Sequence, residues 1–268
     1  MRQLPSVLSF AALAFAALPA AADPTPGVAV SEVSAFHYSA PVAPPRTIRL
    51  ATSSGDISAT ASPDGKLDVR AVVTQGDPSR VRVITREEAG GVAICVLFAD
   101  QSPDGCHLDG IHTSGSGHEK EPSITLVARV PAGVSLAVSS LNGAIHAHGM
   151  TADLRASTLN GDVDVSAATI AEATTLNGNV DATFGSAPKG TVALTTNNGN
   201  VTVHFPAGVD ADIDASTSNG QIKTTFPMAI DSVPGGFGPK SGRARLGRGG
   251  AHVDAHTING NVEIRTGA

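Results

Sequence analysis

The chain has 268 residues, a formal net charge of −6 and a hydrophobic fraction of 41%. This acidic balance argues against nucleic acid or an anionic membrane surface as the main partner. Aromatic residues amount to only 3%, with no Trp, so the core must be built from aliphatic side chains, and aromatic platforms for sugar rings are scarce.

The amino terminus predicts an exported protein. Arg2 precedes an apolar run over residues 7–18, which is followed by small residues up to Ala22. This is the pattern of a secretory signal peptide over residues 1–22, cleaved after Ala22. The run is shorter than the roughly 20 apolar residues that cross a bilayer, and no later segment resembles a transmembrane span. We therefore expect a periplasmic or secreted protein with no transmembrane span.

The rest of the chain predicts β-strands. Residues 23–45 are rich in Pro, Ala and Ser, which indicates an amino-terminal linker or a loosely attached first strand. From residue 46 onward, short alternating apolar runs are separated by Gly-containing turns. No segment after the signal peptide has the apolar period of an amphipathic helix. We therefore expect a single all-β domain over residues 46–268.

The chain contains only two cysteines, Cys95 and Cys106. Because an exported chain matures in an oxidising compartment, we expect these two to form a disulfide. A reactive or metal-binding thiol pair is the alternative, but the spacing is not Cys-x-x-Cys.

Two polar segments are expected to be loops of the domain. Residues 100–122 have no apolar periodicity, and residues 228–250 are rich in Gly. The second loop carries a set of basic side chains on an acidic protein, which makes it a candidate anion-binding loop, although a solvated hairpin explains them as well. The basic residues are Lys240, Arg243, Arg245 and Arg248.

Six Asn-Gly pairs share one sequence pattern, at spacings of 18, 17, 21, 21 and 40 residues. Counted from each Asn, apolar residues fall at −6 and −4, Ser or Thr at −2, and β-branched or small residues at +3 and +5. A period near 20 residues is typical of architectures in which similar units stack. The pairs, which we expect to be structural corners, are Asn142-Gly143, Asn160-Gly161, Asn177-Gly178, Asn198-Gly199, Asn219-Gly220 and Asn259-Gly260.

Two architectures fit this pattern. In a β-solenoid, resembling a parallel β-helix, each Asn-Gly is a corner of a coil of about 20 residues, and the Asn side chains stack as a ladder. In the alternative, an antiparallel β-meander or barrel, each Asn-Gly closes a tight hairpin. We favour the β-solenoid, because identical residues at identical places indicate stacking of like on like. Asn and Gly both tolerate the positive φ of a sharp corner.

Histidines are the first candidates for a metal site, and His107, His112 and His118 fall in the polar loop over residues 100–122. His146 and His148 alternate along one predicted strand, and His252 and His256 lie on one face of another. Alternate residues of a strand share a face and can chelate a metal. Outward polar positions of a half-exposed sheet explain these histidines as well, so no metal site and no cofactor are predicted.

No catalytic residue is predicted either. Several aspartates lie beside the corners, among them Asp162, Asp164 and Asp181, but acidity is not repeated at position +2 from the corner Asn. A glycosidase needs two carboxylates at a defined separation, which spacing alone does not establish. The strand-to-helix turn that presents a serine nucleophile is missing, as is a phosphate-binding loop followed by a helix.

Several motifs together resemble the bacterial putative-adhesin family. They are the run Val127-Ala-Arg-Val-Pro-Ala-Gly-Val134, the copies of Thr-x-Asn-Gly-x-Val beginning at Thr158, Thr175 and Thr257, the Phe-Pro pairs at Phe205 and Phe226, and the Gly-rich insertion before the last copy. The resemblance covers roughly residues 46–266 and is strongest after Ser123. It implies an exported or membrane-tethered β-solenoid domain without catalytic residues.

We therefore expect a non-enzymatic, envelope-associated structural or adhesion-like binding protein, with an envelope polymer, a glycan or another surface protein as partner. The alternative is a carbohydrate-active enzyme or a polysaccharide-binding protein that uses one face of the solenoid. Carboxylates clustered beside Arg or Lys in a groove would favour the alternative. A uniform polar face would favour the first function.

Overall fold

A computed structural model of the chain describes residues 27–112, 122–232 and 238–267. Its described residues form an all-β fold without α-helix, in which 20 strands belong to one large mixed sheet that is not closed and two more form a small hairpin. The predicted all-β class is therefore confirmed. The predicted signal peptide lies outside the described residues.

Twenty-two strands and three short 3-10 turns make up the described structure. The strands before residue 112 are β1 Val28–Glu32, β2 His37–Pro41, β3 Thr47–Ser54, β4 Ile57–Ala61, β5 Lys66–Gln75, β6 Val81–Glu88, β7 Gly91–Phe98, β8 Cys106–His107 and β9 Gly110–Ile111. The next are β10 Ser123–Val130, β11 Ser135–Asn142, β12 Ile145–Asn160, β13 Val163–Asn177, β14 Val180–Phe184, β15 Thr191–Asn198 and β16 Val201–Phe205. The last are β17 Ala211–Asn219, β18 Ile222–Thr224, β19 Ala229–Ser232, β20 Lys240–Leu246, β21 Ala251–Asn259 and β22 Val262–Thr266. The 3-10 turns are Val33–Ala35, Pro78–Arg80 and Pro103–Gly105.

The strands on either side of an Asn-Gly pair turn one continuous apolar face inward. Around Asn198, the buried side chains are Val192, Leu194 and Thr196 before the corner and Val201 and Val203 after it. The intervening residues alternate outward, as the period of two in a strand requires. Inward residues therefore fall at −6, −4 and −2 and then at +3 and +5, a shift of one residue across the corner that keeps both strands facing the same aliphatic core.

Strands from successive Asn-Gly segments pair in parallel, with like residues aligned. The register places Asn142 beside Asn160, Asn160 beside Asn177, and Asn177 beside Asn198. The strands that follow these corners also pair in parallel with one another, as β14 does with β13 and β16. The segments therefore lie on one another in register on both sides of the corner.

The antiparallel meander, which was the alternative architecture, is wrong for these segments. A hairpin at Asn198-Gly199 would pair β15 with β16. Instead, β15 pairs with β13 and β21, and β16 pairs with β14 and β22. Among the described strands the sheet is not closed, which excludes a barrel there as well.

The last two Asn-Gly segments stack out of chain order. The sixth segment, β21 and β22, lies between the fourth and the fifth, because β21 pairs with both β15 and β17, and β22 pairs with both β16 and β18. The fifth segment therefore ends the row of parallel strands. Its β17 is covered on the far edge by the antiparallel strand β20, which in turn pairs with β19.

Three regions predicted as linker or loop contain more structure than expected. Within residues 23–45, β1 pairs with β6 and β2 pairs with β5. Residues 228–250 include β19 and β20. Residues 100–112 form a 3-10 turn and the β8–β9 hairpin, in which Cys106 is fully buried.

Two apolar cores result from this arrangement. The main core runs between the inward faces along the whole row of strands, from Ile48 to Ile264. A second, smaller core lies on the outer side of β3, β6 and β7, where the 100–112 segment covers it; its buried residues are Ala51, Ile84, Ala93, Cys95, Leu97 and Cys106.

Candidate functional site

The glycines of the corners are required by close approach between neighbouring segments. A Cβ atom on Gly178 would lie 2.1 Å from the carbonyl oxygen of Gly161, and one on Gly260 would lie 1.9 Å from that of Gly199. The φ angles of these two corner glycines, 155° and 156°, are also outside the range that other residues readily adopt. The corners at Gly161, Gly178, Gly199 and Gly260 therefore depend on Gly for two separate reasons, whereas Gly143 and Gly220 have the close approach alone.

The corner asparagines form a ladder of side-chain amides. Asn160 donates from Nδ2 to Oδ1 of Asn142 at 2.7 Å, and Asn177 donates to Asn160 at 2.8 Å. The ladder continues from Asn198 to Asn177, from Asn259 to Asn198 and from Asn219 to Asn259, each at 2.8 Å. Its order, with 259 before 219, follows the stacking order of the strands and not the order in the chain.

Hydroxyl groups at −2 also bind the neighbouring corner. Thr175 Oγ1 donates to the carbonyl oxygen of Gly161 at 2.9 Å, and Thr196 does so to Gly178 at 2.8 Å. These threonines are almost fully buried, so the hydrogen bond satisfies a group that would otherwise be costly to bury. The Ser/Thr, Asn and Gly of the motif therefore serve stacking.

A row of exposed aliphatic side chains runs beside the amide ladder. The residues at −1 are Leu141, Leu159 and Leu176 on three adjacent strands, with exposed fractions of 53%, 42% and 36%. On the next strand the −1 residue is Asn197, and on the strand after it the −1 residue is Ile258, which is 37% exposed. Sequence reasoning missed this row, although the recurring Leu before Asn-Gly was a visible signal.

Histidine and aspartate side chains meet on the outer face beyond the corners. His146 and His148 lie on β12, and Asp164 lies on β13 directly opposite His146. The Oδ2 atom of Asp164 is 3.8 Å from His146 Nδ1 and 3.4 Å from His148 Nε2. On the next strands in the same face, Asp181 Oδ1 lies 3.9 Å from His204 Nε2.

Asp181 is chemically distinctive among the carboxyl groups of the described residues. Partial burial raises its pKa above the ordinary value, and the negative charge of Asp164 adds to this, whereas His204 opposes it. The opposite holds for Asp210 and Asp212, whose pKa values are lowered chiefly by hydrogen bonds from the Arg248 backbone and the Arg245 side chain, respectively.

The predicted anion-binding residues all have partners within the chain. Because β17 and β20 are antiparallel, Arg243 lies opposite Asp214 and Arg245 opposite Asp212. The Nε-to-Oδ1 distances are 2.9 Å and 2.7 Å, respectively. Arg248 Nη2 lies 2.8 Å from Asp210 Oδ2, and Lys240 Nζ donates to the Gly220 carbonyl at 2.7 Å. An anion would have to compete with these carboxylates for the arginines.

One serine and one histidine form an arrangement that the sequence did not predict. Ser216 Oγ and His256 Nδ1 are 2.8 Å apart on paired strands, beside a shallow pocket of about 340 Å³. Within the described residues, no carboxylate lies at ion-pair distance from His256. The third member of a Ser-His-Asp arrangement, which would orient the imidazole, is therefore missing there.

The predicted disulfide is confirmed: Cys95 and Cys106 are bonded. It ties the 100–112 segment to the outer side of β7.

The histidines of the predicted loop lie beside acidic side chains. His112 Nε2 lies 2.9 Å from Asp109 and His107 Nδ1 lies 3.5 Å from Glu88. His118 lies outside the described residues. Within the described residues, no helix has the length and apolar character that would let it cross a membrane.

Solved structures similar to this chain include two bacterial proteins. One, from Clostridium sporogenes, is described as a putative cell adhesion protein; it is 11% identical, with a TM-score of 0.43, over 91% of this chain and 100% of its own. The other, from Bacteroides fragilis, is described as a putative adhesin; it is 16% identical, with a TM-score of 0.31, over 86% of this chain and 96% of its own. No protein-family model and no curated protein matches the sequence significantly.

Both descriptions name the putative-adhesin class that the sequence motifs resemble. At these TM-scores and identities, however, the similarities assign no function. What this protein binds has to be argued from its own side chains.

Proposed function

We propose that the protein is a non-enzymatic, adhesion-like binding protein that is exported to the periplasm or secreted. In this proposal, residues 1–22 are removed as a signal peptide and residues 46–268 form one β-solenoid domain. The strands in residues 23–45 add to the edge of its sheet.

Three observations support the solenoid. The Asn-Gly segments pair in parallel with identical residues aligned, their corner glycines approach one another closely, and their amides form a ladder. Each coil would then be one Asn-Gly segment. The disulfide supports export, because such bonds persist mainly in oxidising compartments.

The row formed by Leu141, Leu159 and Leu176 carries the proposal of a binding function. Contiguous apolar side chains on a soluble surface mark interaction sites more often than single ones do. The three leucines stand on adjacent strands, which are about 4.8 Å apart in a sheet. They are flanked at −3 by half-buried hydroxyl side chains, so an apolar ridge borders a polar strip. This pattern of apolar centre and polar rim is typical of protein interfaces.

We place another surface protein first among the partners. An apolar ridge suits a protein surface better than a sugar chain, because sugar rings are usually bound by aromatic platforms and aromatic residues amount to only 3% here. An envelope polymer or a glycan is the competing partner, and the experiment below distinguishes them.

The test replaces the three leucines by Asn, the residue that occupies the same −1 position in the fourth segment. The triple variant Leu141→Asn, Leu159→Asn, Leu176→Asn copies Asn197, which already occupies a −1 position. Retention of the purified protein would be measured on immobilised surface proteins and, separately, on envelope polysaccharide from the source cells. Val72→Asn is the matched control, because Val72 is 46% exposed but lies away from the ridge.

We expect the triple variant to lose at least about tenfold in affinity for the surface-protein fraction, since buried anchors at an interface each contribute about 1 kcal/mol or more. The control should bind normally, and both variants should melt like the parent. Equal binding by the parent and the triple variant would contradict the ridge. Retention on polysaccharide alone would favour the glycan as partner.

A carbohydrate-active enzyme is the second candidate. Asp181 has a raised pKa and feels the negative charge of Asp164 on the neighbouring strand, an environment suited to a general acid beside a second carboxylate. Screening against polysaccharides tests this candidate. Turnover that is lost in Asp181→Asn and in Asp164→Asn would replace the non-enzymatic proposal.

A further inference from the structure

We propose that β12 and β13 carry a surface site for a divalent transition-metal ion of the zinc type, with His146, His148 and Asp164 as its protein ligands. This inference is independent of the proposed adhesion function. It rests on side chains that neither the corners nor the apolar ridge use.

The backbone brings the three donors to one place. His146 and His148 are two residues apart on one strand, so both point to the same face. Parallel pairing then sets Asp164 opposite His146. Two imidazoles and one carboxylate are a donor set that zinc uses at sites with an open position.

The distances between donor atoms fit a shared metal ion. Zinc–ligand bonds of about 2.0–2.2 Å at tetrahedral angles separate neighbouring donor atoms by about 3.3–3.6 Å. Asp164 Oδ2 lies 3.4 Å from His148 Nε2 and 3.8 Å from His146 Nδ1, and donor atoms of all three residues lie within 4.8 Å of one another. Small side-chain rotations would therefore bring the three donors to bonding distance.

A neighbouring hydroxyl orients one of the ligands. Ser166 Oγ lies 3.4 Å from His148 Nδ1 and accepts a hydrogen bond from the Gly149 amide at 3.0 Å. Its second lone pair can accept the Nδ1 proton, which leaves the Nε2 lone pair of His148 facing Asp164. Hydrogen bonds of this kind fix the ring tautomer of metal-binding histidines.

The combination of two histidines and an aspartate is particular to β12 and β13, as the residues at the equivalent positions of neighbouring segments show. At +4 and +6 from the corner Asn, the third segment has Asp181 and Thr183, and the fourth has Thr202 and His204. Within the described residues, His146, His148 and Asp164 are the group of three whose donor atoms converge in this way. The carboxyl group of Asp181 on the next strand adds a further negative charge near a bound dication.

The site would leave room for a further ligand. The side chains of His146, His148 and Asp164 are 46%, 46% and 47% exposed. Any remaining coordination position therefore faces solvent, where water or a donor atom from a partner can occupy it.

Calorimetric titration of the tag-free, full-length protein with Zn²⁺ tests the proposal. We expect one saturable site per chain. The variants His146→Thr and His148→Thr copy Thr202 and Thr183, which occupy the same positions in neighbouring segments, so the strands should fold normally. Each of these variants, and Asp164→Asn, should weaken zinc binding at least about tenfold, and Ser166→Ala by about tenfold through the orientation of His148.

His252→Gln is the matched control. His252 Nε2 lies 3.5 Å from Asp214 and its side chain is 47% exposed, which matches the local setting of the proposed ligands. The control should bind zinc like the parent. Cobalt gives a second readout, because its visible spectrum in the parent should be that of a four- or five-coordinate ion with nitrogen ligands.

Several results would overturn the site. Failure of the parent to bind zinc saturably would do so, as would unchanged zinc affinity in the His146→Thr, His148→Thr double variant or in Asp164→Asn. The site would also be overturned if His252→Gln lost as much zinc affinity as these variants, or if the cobalt spectrum were identical to that of the hydrated ion. Melting curves recorded without metal separate loss of a ligand from loss of folding.

Discussion

Replacing Gly178 by Ala should destabilise the protein strongly, by an amount that the geometry of the corner sets. The new Cβ would lie 2.1 Å from the Gly161 carbonyl oxygen, so the two segments must separate by about 1 Å. That movement weakens the hydrogen bonds that Gly161 makes with Thr175 and Asn177, at 2.9 Å each. With about 1 kcal/mol for each bond and 1–3 kcal/mol for backbone strain, we expect a loss of roughly 3–5 kcal/mol.

Thermal unfolding measures this loss. For a domain of this size, each kcal/mol corresponds to a shift of about 2–4 °C in Tm, so Gly178→Ala should lower Tm by roughly 6–20 °C. Gly208→Ala is the control, because Gly208 also has a positive φ, 70°, but a Cβ there meets nothing within 4 Å. The control carries the strain of the backbone without the collision and should cost only that strain, about 1–3 kcal/mol.

The order of the segments makes a second comparison possible. If the segments stacked in chain order, Gly260 would belong to a terminal unit and would tolerate substitution better than Gly178. The structure contradicts that premise, because Gly260 lies between Gly199 and Gly220. We therefore expect Gly260→Ala to cost as much as Gly178→Ala. Gly220→Ala should cost less, because its corner is the last in the row and can move outward.

Equal losses at Gly178 and Gly208 would show that close approach between segments does not determine stability. A small loss at Gly260 beside a large one at Gly220 would refute the stacking order itself. Loss of the Lys240 hydrogen bond to the Gly220 carbonyl, at 2.7 Å, accompanies any outward movement there, so Lys240→Met serves as a control for that contribution.

Two further predictions concern single groups. Burial raises the pKa of Tyr38, the only tyrosine, from 10.0 to about 12, and Glu87 is the second cause. The contribution of the protonated Tyr38 to the free energy of unfolding is therefore present below pH 10 and is lost as pH rises from 10 to 12. Ultraviolet titration should find its midpoint near pH 12, and Glu87→Gln should lower it only in part; a midpoint near 10 while circular dichroism is still native would contradict the burial. Reduction of the Cys95–Cys106 disulfide, whose cysteines are 11 residues apart, should lower stability by about 3 kcal/mol; an unchanged urea midpoint after complete reduction would show that the 100–112 segment holds its place without the bond.

The sequence predicted the corner and its inward face, because both follow from local rules. Alternation of apolar residues at −6, −4, +3 and +5 fixes which side chains point inward, and Asn-Gly marks the place where the register shifts. The structure also explains the Ser or Thr at −2, whose hydroxyl binds the carbonyl oxygen of the neighbouring corner glycine, as Thr196 binds Gly178. That partner lies in another segment, so the sequence alone identified the position and not its role.

The metal-ligand candidates were visible in part. The alternation of His146 and His148 could be read from the sequence, but Asp164 is 18 residues from His146, and only the register of β12 against β13 makes them neighbours. The basic residues of β20 illustrate the reverse. A run of positive charge suggested an anionic ligand, whereas antiparallel pairing with β17 supplies the anions from within the chain.

The stacking order of the last two segments could not be predicted, because their corners carry the same residues and therefore compete equally for the end of the row. Residues outside the motif decide the order. The alternating aspartates of β17 face the arginines of β20, so β20 covers one edge of β17 with an antiparallel strand. Only the other edge remains for a parallel neighbour.

The sixth segment takes that edge and joins β17 to β15 and β18 to β16. Within the described structure, β17 pairs only with β20 and β21, and β18 pairs only with β22. The fifth segment therefore has no strand contact with the fourth until the sixth lies between them. The first four segments can stack in chain order, but the end of the row forms only when the last strands of the chain are in place.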